Sequence, residues 1–213
     1  VVFYANDYGP LSEVNQFSKG LAGAEVNVGI GLSRLGHPIS FLTKLSNDEM
    51  GKYIFNCLQK EKFDLSYTLL DEQKPMGIMF KNKVKNGDPE TMYYRNGSAV
   101  TTLSVKDVEA IDFKQLKVLH LTGIPIALSE SLRETIFYLI NKARENDCVI
   151  TFDPNLRPIL WDSEELMIRT INEVAALSDV FLPGLGEAKL LTGLTDIDEI
   201  SDFYLAQGVT HIV

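Results

Sequence analysis

Four short segments hold residue types that could do chemistry together. In Ile150–Pro158 (ITFDPNLRP), Asp153, Asn155 and Arg157 stand at alternate positions. They offer an acceptor, a mixed donor-acceptor and a cation. Two prolines stiffen the loop and lower the entropy cost of holding those groups. In Met92–Ala99 (MYYRNGSA), an aromatic pair precedes Arg95. A guanidinium presents a rigid fork of donors that matches a carboxylate or phosphate. In Gly20–Val28 (GLAGAEVNV), Gly23 would let a polar ligand approach the backbone at a helix start, where anions and hydroxyls are favoured. Asn27, one turn further, offers a donor and an acceptor toward a sugar. In Leu182–Gly193 (LPGLGEAKLLTG), Glu187 at a helix start could orient metal-bound waters, since Mg²⁺ keeps several waters and takes few carboxylates.

Each segment also has a plainer account. The glycines around residue 23 could serve packing alone, and Asn27 could cap locally. Tyr94 and Arg95 could be a surface packing pair; on a strand they point to opposite faces unless it bends. Asp153 could merely cap a turn. Glu187 could be an ordinary dipole-favoured helix residue.

The elements that must position these residues alternate between two periods. Residues 1–20 read as extended pieces around an Asn-Asp-Tyr-Gly-Pro turn. Ala24–Leu35 reads as a helix closed by Gly36. Ile39–Lys44 reads as a strand, followed by an Asp48-capped helix to about Lys62 whose Met50, Tyr53, Ile54, Cys57 and Leu58 follow the helical period. Gly77–Val84 and Thr91–Tyr94 read as a β-hairpin. Strands are expected at 117–121, 148–152, 180–182 and 211–213. Between them come helices capped by Ser129 and Ser163, a short helix at 187–191 and another at 198–207. Short apolar strands between helices mean a parallel sheet covered on both faces. Ligands bind such sheets beyond the carboxyl ends of the strands, which is where the loops after 152 and 182 fall. A β element from about 1–20 and 74–98 would suit a lid on this single α/β domain.

The composition narrows the field. Of 213 residues, 45% are hydrophobic and 23% charged, as in a folded globular chain. A net charge of −9 argues against a nucleic-acid-coating role, yet a few placed arginines can still hold a small anion. Cys57 and Cys148 lack CxxC spacing, and His37, His120 and His211 lack metal-ligand spacing. Reduced core thiols in a cytoplasmic protein are expected. No run of about 20 apolar residues predicts a membrane span. No P-loop, GxSxG or HExxH pattern is found.

Taken in order, the segments resemble the PfkB-type (ribokinase-like) carbohydrate kinases. AGAEVNVGIGLSRLG is similar to that family's first signature, LSNDEMGKYI to its G-x-D-x-x-G segment, DPNLR to its DxNxR loop and GLGEAKLLTG to its NxxE segment, with Gly184 in the place of the Asn. YYRNGSA followed by DPNLRPILW most resembles the sugar-acid kinases of the family, those for 2-keto-3-deoxygluconate, with fructokinases the near alternative. The resemblance implies a ribokinase-like, Rossmann-type α/β sandwich with a small β-sheet lid. It implies phosphoryl transfer from ATP, with Mg²⁺, to a hydroxyl of a small sugar or sugar acid. Gly23, Asn27, Tyr94, Arg95, Asn155 and Arg157 would bind the sugar, and Glu187 the nucleotide side and, through water, the metal. The family's Gly-Ala-Gly-Asp segment, which carries the base, is expected beyond Val213, so this stretch alone is expected to be nearly inactive. Charge, cysteine usage and the lack of a long apolar run point to a cytoplasmic protein with neither nucleic-acid nor membrane partners, and the lid's exposed β face, with the resemblance, suggests a homodimer paired through the lids. A catalytically dead sugar-binding module on the same scaffold is the rival from another class.

Overall fold

The structure, a computed structural model, describes residues 1–213. The chain forms two compact units, Val1–Leu103 and Ser104–Val213.

The first unit opens with strand β1 (Val2–Tyr8) and strand β2 (Phe17–Gly20), paired antiparallel with Val2 opposite Gly20 and Ala5 opposite Phe17. Helix α1 (Ala24–Arg34) follows and ends before Gly36, whose φ of 88° is the left-handed turn expected of glycine there. Strand β3 (Thr43–Ser46) begins later than the apolar run at 39 suggests. Its partner explains this: strand β4 (Thr68–Asp71) lies parallel to it from Thr43–Thr68 onward, and Ser40 makes only an isolated bridge to Asp64. Helix α2 (Glu49–Lys60) starts where Asp48 accepts from the N–H groups of Met50 and Gly51. Its stripe of Ile54 and Leu58 joins Val26, Leu45 and Phe63 in the core of this unit.

Strands β5 (Ile78–Lys83) and β6 (Thr91–Tyr94) form the expected antiparallel hairpin, with Met79 opposite Tyr93. Strand β5 also runs parallel beside β1, giving one four-stranded sheet in the order β2-β1-β5-β6. Thus the two β-rich stretches, far apart in sequence, build one sheet. One of its faces is aromatic. Phe3 stacks on Phe80 with ring centroids 5.2 Å apart, and Phe17 and Tyr94 meet Phe80 edge-on at 5.4 and 5.9 Å.

The second unit begins with a short helix α3 (Val105–Val108) and then alternates regularly. Strands β7 (Val118–Thr122), β8 (Val149–Asp153), β9 (Val180–Phe181) and β10 (His211–Ile212) form a wholly parallel sheet, ordered β10-β9-β8-β7. Between them lie α4 (Gly123–Leu128), α5 (Glu130–Glu145), α6 (Glu164–Ala176), α7 (Leu185–Thr192) and α8 (Ile197–Leu205). Ser129 and Ser163 cap α5 and α6 by accepting from Leu132 and Leu166 N–H, as their spacing predicts. Ile150, Phe152, Phe181 and Tyr204 are fully buried and form the centre of this core. Both cysteines are free thiols, and Cys148 is buried. No helix is long and apolar enough to cross a membrane.

Candidate functional site

In the first unit, Gly23 is the residue preceding α1 and has extended backbone (φ 163°, ψ 142°). A side chain there would press to 3.2 Å against Val26, so the glycine keeps the helix start open. Its carbonyl accepts from the N–H of Asn27 at 3.0 Å, and the Asn27 side chain is exposed. That leaves the amide available to a ligand.

Arg95 follows directly on β6, and strand alternation decides its aromatic neighbour. The guanidinium lies 4.3 Å from the ring centroid of Tyr93, two residues back on the same face. Tyr94 faces the other way, edge-on to Phe80, and is 57% exposed. The structure therefore brings Tyr93, not Tyr94, to Arg95. The two-residue period of a strand, which puts Tyr94 and Arg95 on opposite faces, is the signal in the sequence that points to Tyr93. A cation over a ring is attracted by the ring's negative face, which helps hold the guanidinium in place. Close behind, Gly77 lets the hairpin approach Arg95; a Cβ there would lie 3.2 Å from that of Arg95.

In the second unit, the loop after β8 is held from several sides. Asp153 Oδ accepts from Asn155 N–H at 2.9 Å, which closes the turn. Asn155 has φ +37°, in the left-handed region that Asn enters more readily than most residues. Arg157 Nη1 donates to the Leu156 carbonyl at 2.6 Å, so the guanidinium folds back on its own loop. Beneath the loop, Gly123 touches the Pro154 carbonyl so closely that a Cβ would sit 2.1 Å from that oxygen.

Glu187 lies in the first turn of α7, at the carboxyl end of the neighbouring strand. One carboxylate oxygen accepts from Gly184 N–H at 2.9 Å, and the other from Leu156 N–H at 2.6 Å. It thus ties the 153–157 loop to the start of α7, a link between residues 31 apart that no local pattern shows. Gly184, where the resembled motif has Asn, contributes its backbone N–H instead of a side chain. Burial pushes the Asp153 carboxyl above its ordinary range; nearby Glu187 adds to this, while the Asn155 N–H and His120 oppose it. His120 itself bonds Thr151 Oγ at 2.8 Å, as a satisfied strand histidine would.

No cluster of three or more His, Cys, Asp or Glu side chains could hold a metal by itself. Each Glu187 oxygen accepts one backbone N–H and has a further lone pair for another donor.

An α/β chain with a parallel sheet, site loops at the carboxyl ends of its strands and a separate β sheet bearing a ring-stacked arginine is of the ribokinase-like class. The comparisons agree. The chain belongs to the pfkB family of carbohydrate kinases, whose family model matches residues 1–213. It is 43% identical over 212 residues to a 2-dehydro-3-deoxygluconokinase of Bacillus subtilis, covering 99% of this chain and 65% of that protein. The chain thus spans just under two thirds of that relative's length. A crystal structure of a PfkB protein from Polaromonas sp. JS666 superposes with a TM-score of 0.93 at 36% identity, over 98% of this chain and 70% of that one. A sugar kinase from Pyrococcus horikoshii in complex with ATP gives 0.78 at 29% identity, over 98% of this chain and 64% of that one.

Proposed function

We propose that the protein transfers the γ-phosphoryl group of ATP to a hydroxyl of a sugar acid, 2-keto-3-deoxygluconate, using Mg²⁺. The observation that carries the reading is the Arg95 guanidinium placed over Tyr93 at 4.3 Å from the ring centroid. A pre-set planar fork suits a carboxylate, which accepts two parallel hydrogen bonds. The Bacillus relative at 43% identity, named for the same sugar acid, supports it.

In this reading Gly23 and Asn27 bind sugar hydroxyls, and Arg95, backed by Tyr93, binds the acid group. Asn155 and Arg157 hold the remaining hydroxyls or the carboxylate, and Glu187 serves the phosphate side. When bound, Mg²⁺ neutralises charge on the phosphates. The chain's own residues position the acceptor, and for phosphoryl transfer positioning and charge stabilisation supply most of the catalysis. The four-stranded sheet acts as a lid that excludes water. Cytoplasmic residence and pairing of two copies through the lid belong to the same proposal; the exposed Met92 and Tyr94, on one face of the lid, support the pairing.

The test uses the whole protein with ATP, Mg²⁺ and a panel of sugars. Phosphorylation of 2-keto-3-deoxygluconate is expected. Arg95→Ala should cost the acid substrate at least tenfold more in kcat/KM than it costs fructose, since a charge-assisted pair contributes about 1.5–3 kcal/mol. Equal losses with both sugars would refute the carboxylate role.

A further inference from the structure

The peptide between Asn155 and Arg157 is gripped by a carboxylate from another element. Leu156 N–H donates to Glu187 Oε1 at 2.6 Å, and its carbonyl accepts from Arg157 at 2.6 Å. Leu156 itself is buried, 8% exposed. The residue before it sits at φ +37°, a conformation that lasts only where its surroundings over-determine it. Remove the carboxylate and a buried donor loses its partner next to that strained residue. The loop then has reason to relax, and the two side chains on either side of Leu156 move with it.

We propose that Glu187 is a positioning residue for the sugar, fixing Asn155 and Arg157 in binding geometry before any nucleotide or metal arrives. This goes beyond its metal-side role and rests on the sugar-acid reading above. Glu187 so used sets sugar affinity in its own right. The dual attachment also explains why the carboxylate needs both oxygens: one anchors α7 through Gly184, and the other reaches the loop.

The test is calorimetric titration of the whole protein with 2-keto-3-deoxygluconate in EDTA, without nucleotide. Glu187→Gln keeps one acceptor oxygen and loses the charge and the second, so about a tenfold rise in Kd is expected. An unchanged Kd would mean that Glu187 acts only through the metal and would overturn the proposal. A mutant cycle separates positioning from general loosening. In an Asn155→Ala/Arg157→Ala background the Glu187→Gln effect should shrink to less than threefold, because the loop then has neither group left to position. Full, additive losses would overturn the proposal as well. If the wild-type protein binds fructose and no acid, the sugar-acid reading fails, and the same cycle run on fructose still decides the role of Glu187. Should Glu187→Gln not fold, amide exchange in the wild type decides instead. Slow exchange at Leu156 in the free protein supports the proposal, and protection that appears only with bound sugar refutes it.

Discussion

Replacing Gly123 by alanine offers a stringent check on how the loop is held. Gly123 opens α4 and is buried against the loop of Asp153 to Arg157. A Cβ at this position would lie 2.1 Å from the Pro154 carbonyl oxygen and 2.9 Å from Ile171 Cδ1. Ile171 is the tip of a flexible side chain and can turn aside, whereas Pro154 is backbone. Carbon and oxygen do not approach much below about 3 Å, so loop or helix must shift by about 1 Å. Overpacking of this kind costs about 1–3 kcal/mol. For a chain of this size that is a fall in Tm of roughly 2–12 °C. The functional cost is larger in proportion, because a displacement of about 1 Å in positioning groups can cost on the order of 100-fold. Gly123→Ala should therefore raise KM for the sugar and lower kcat/KM by at least tenfold, while KM for ATP changes little. Thermal melts and steady-state kinetics of the whole protein read both effects. Gly31→Ala is the matched control. Gly31 lies within α1 with nothing within 4 Å of an added Cβ, so the same change should stabilise by up to about 1 kcal/mol. If Gly123→Ala melts and turns over like wild type, the close packing of α4 under the loop does not hold Asn155 and Arg157 in place.

Two further outcomes concern stability. Ser98 is only 2% exposed and precedes a 3-10 turn, yet its hydroxyl makes neither a cap bond nor any other. Ser98→Ala should leave Tm unchanged or raise it, because it removes a buried polar group with no partner to orphan; a loss above about 1 kcal/mol would show that the hydroxyl is satisfied. Asp48 is held below the ordinary carboxylate range by the Ser46 hydroxyl first, and then by the N–H groups of Gly51 and Met50. Its folded pKa is depressed, so its contribution is full above the unfolded value of about 3.9 and is lost as pH falls through the lower folded value. Asp48→Asn keeps an acceptor, and the residue is exposed, so the loss at pH 7 should be only about 0.5 kcal/mol and should be smaller at pH ~3, below the unfolded value. Urea midpoints at the two pH values measure it, and a difference independent of pH would refute the assignment.

Local signals were legible wherever the cause of a structure is local. The caps at Asp48, Ser129 and Ser163 each accept the N–H that their position in sequence predicts. The hairpin of 78–94 and the alternation of strands and helices after residue 117 follow from composition and period alone. Elements that exist only because a partner exists were harder to see. Strand β4, with its Thr-Leu-Leu-Asp, pairs with β3 across an intervening helix, and its presence moves the start of β3 to Thr43. The six-residue α4 has too few turns for a periodic pattern and is fixed by its contact with the loop.

The same division runs through the site. Arg95, Asn155, Arg157 and Glu187 could be singled out as candidates from the sequence, because motif spacing and strand ends are properties of sequence. How they are held was not. Which tyrosine meets Arg95 depends on the face that β6 presents, and that face is set by pairing with β5. Glu187 looked like a helix-start carboxylate, and only folding brings its second oxygen to Leu156, 31 residues away. Chemistry is carried by single side chains and is written locally. Positioning is a contact between distant segments, and a linear pattern cannot encode a distance that only packing creates.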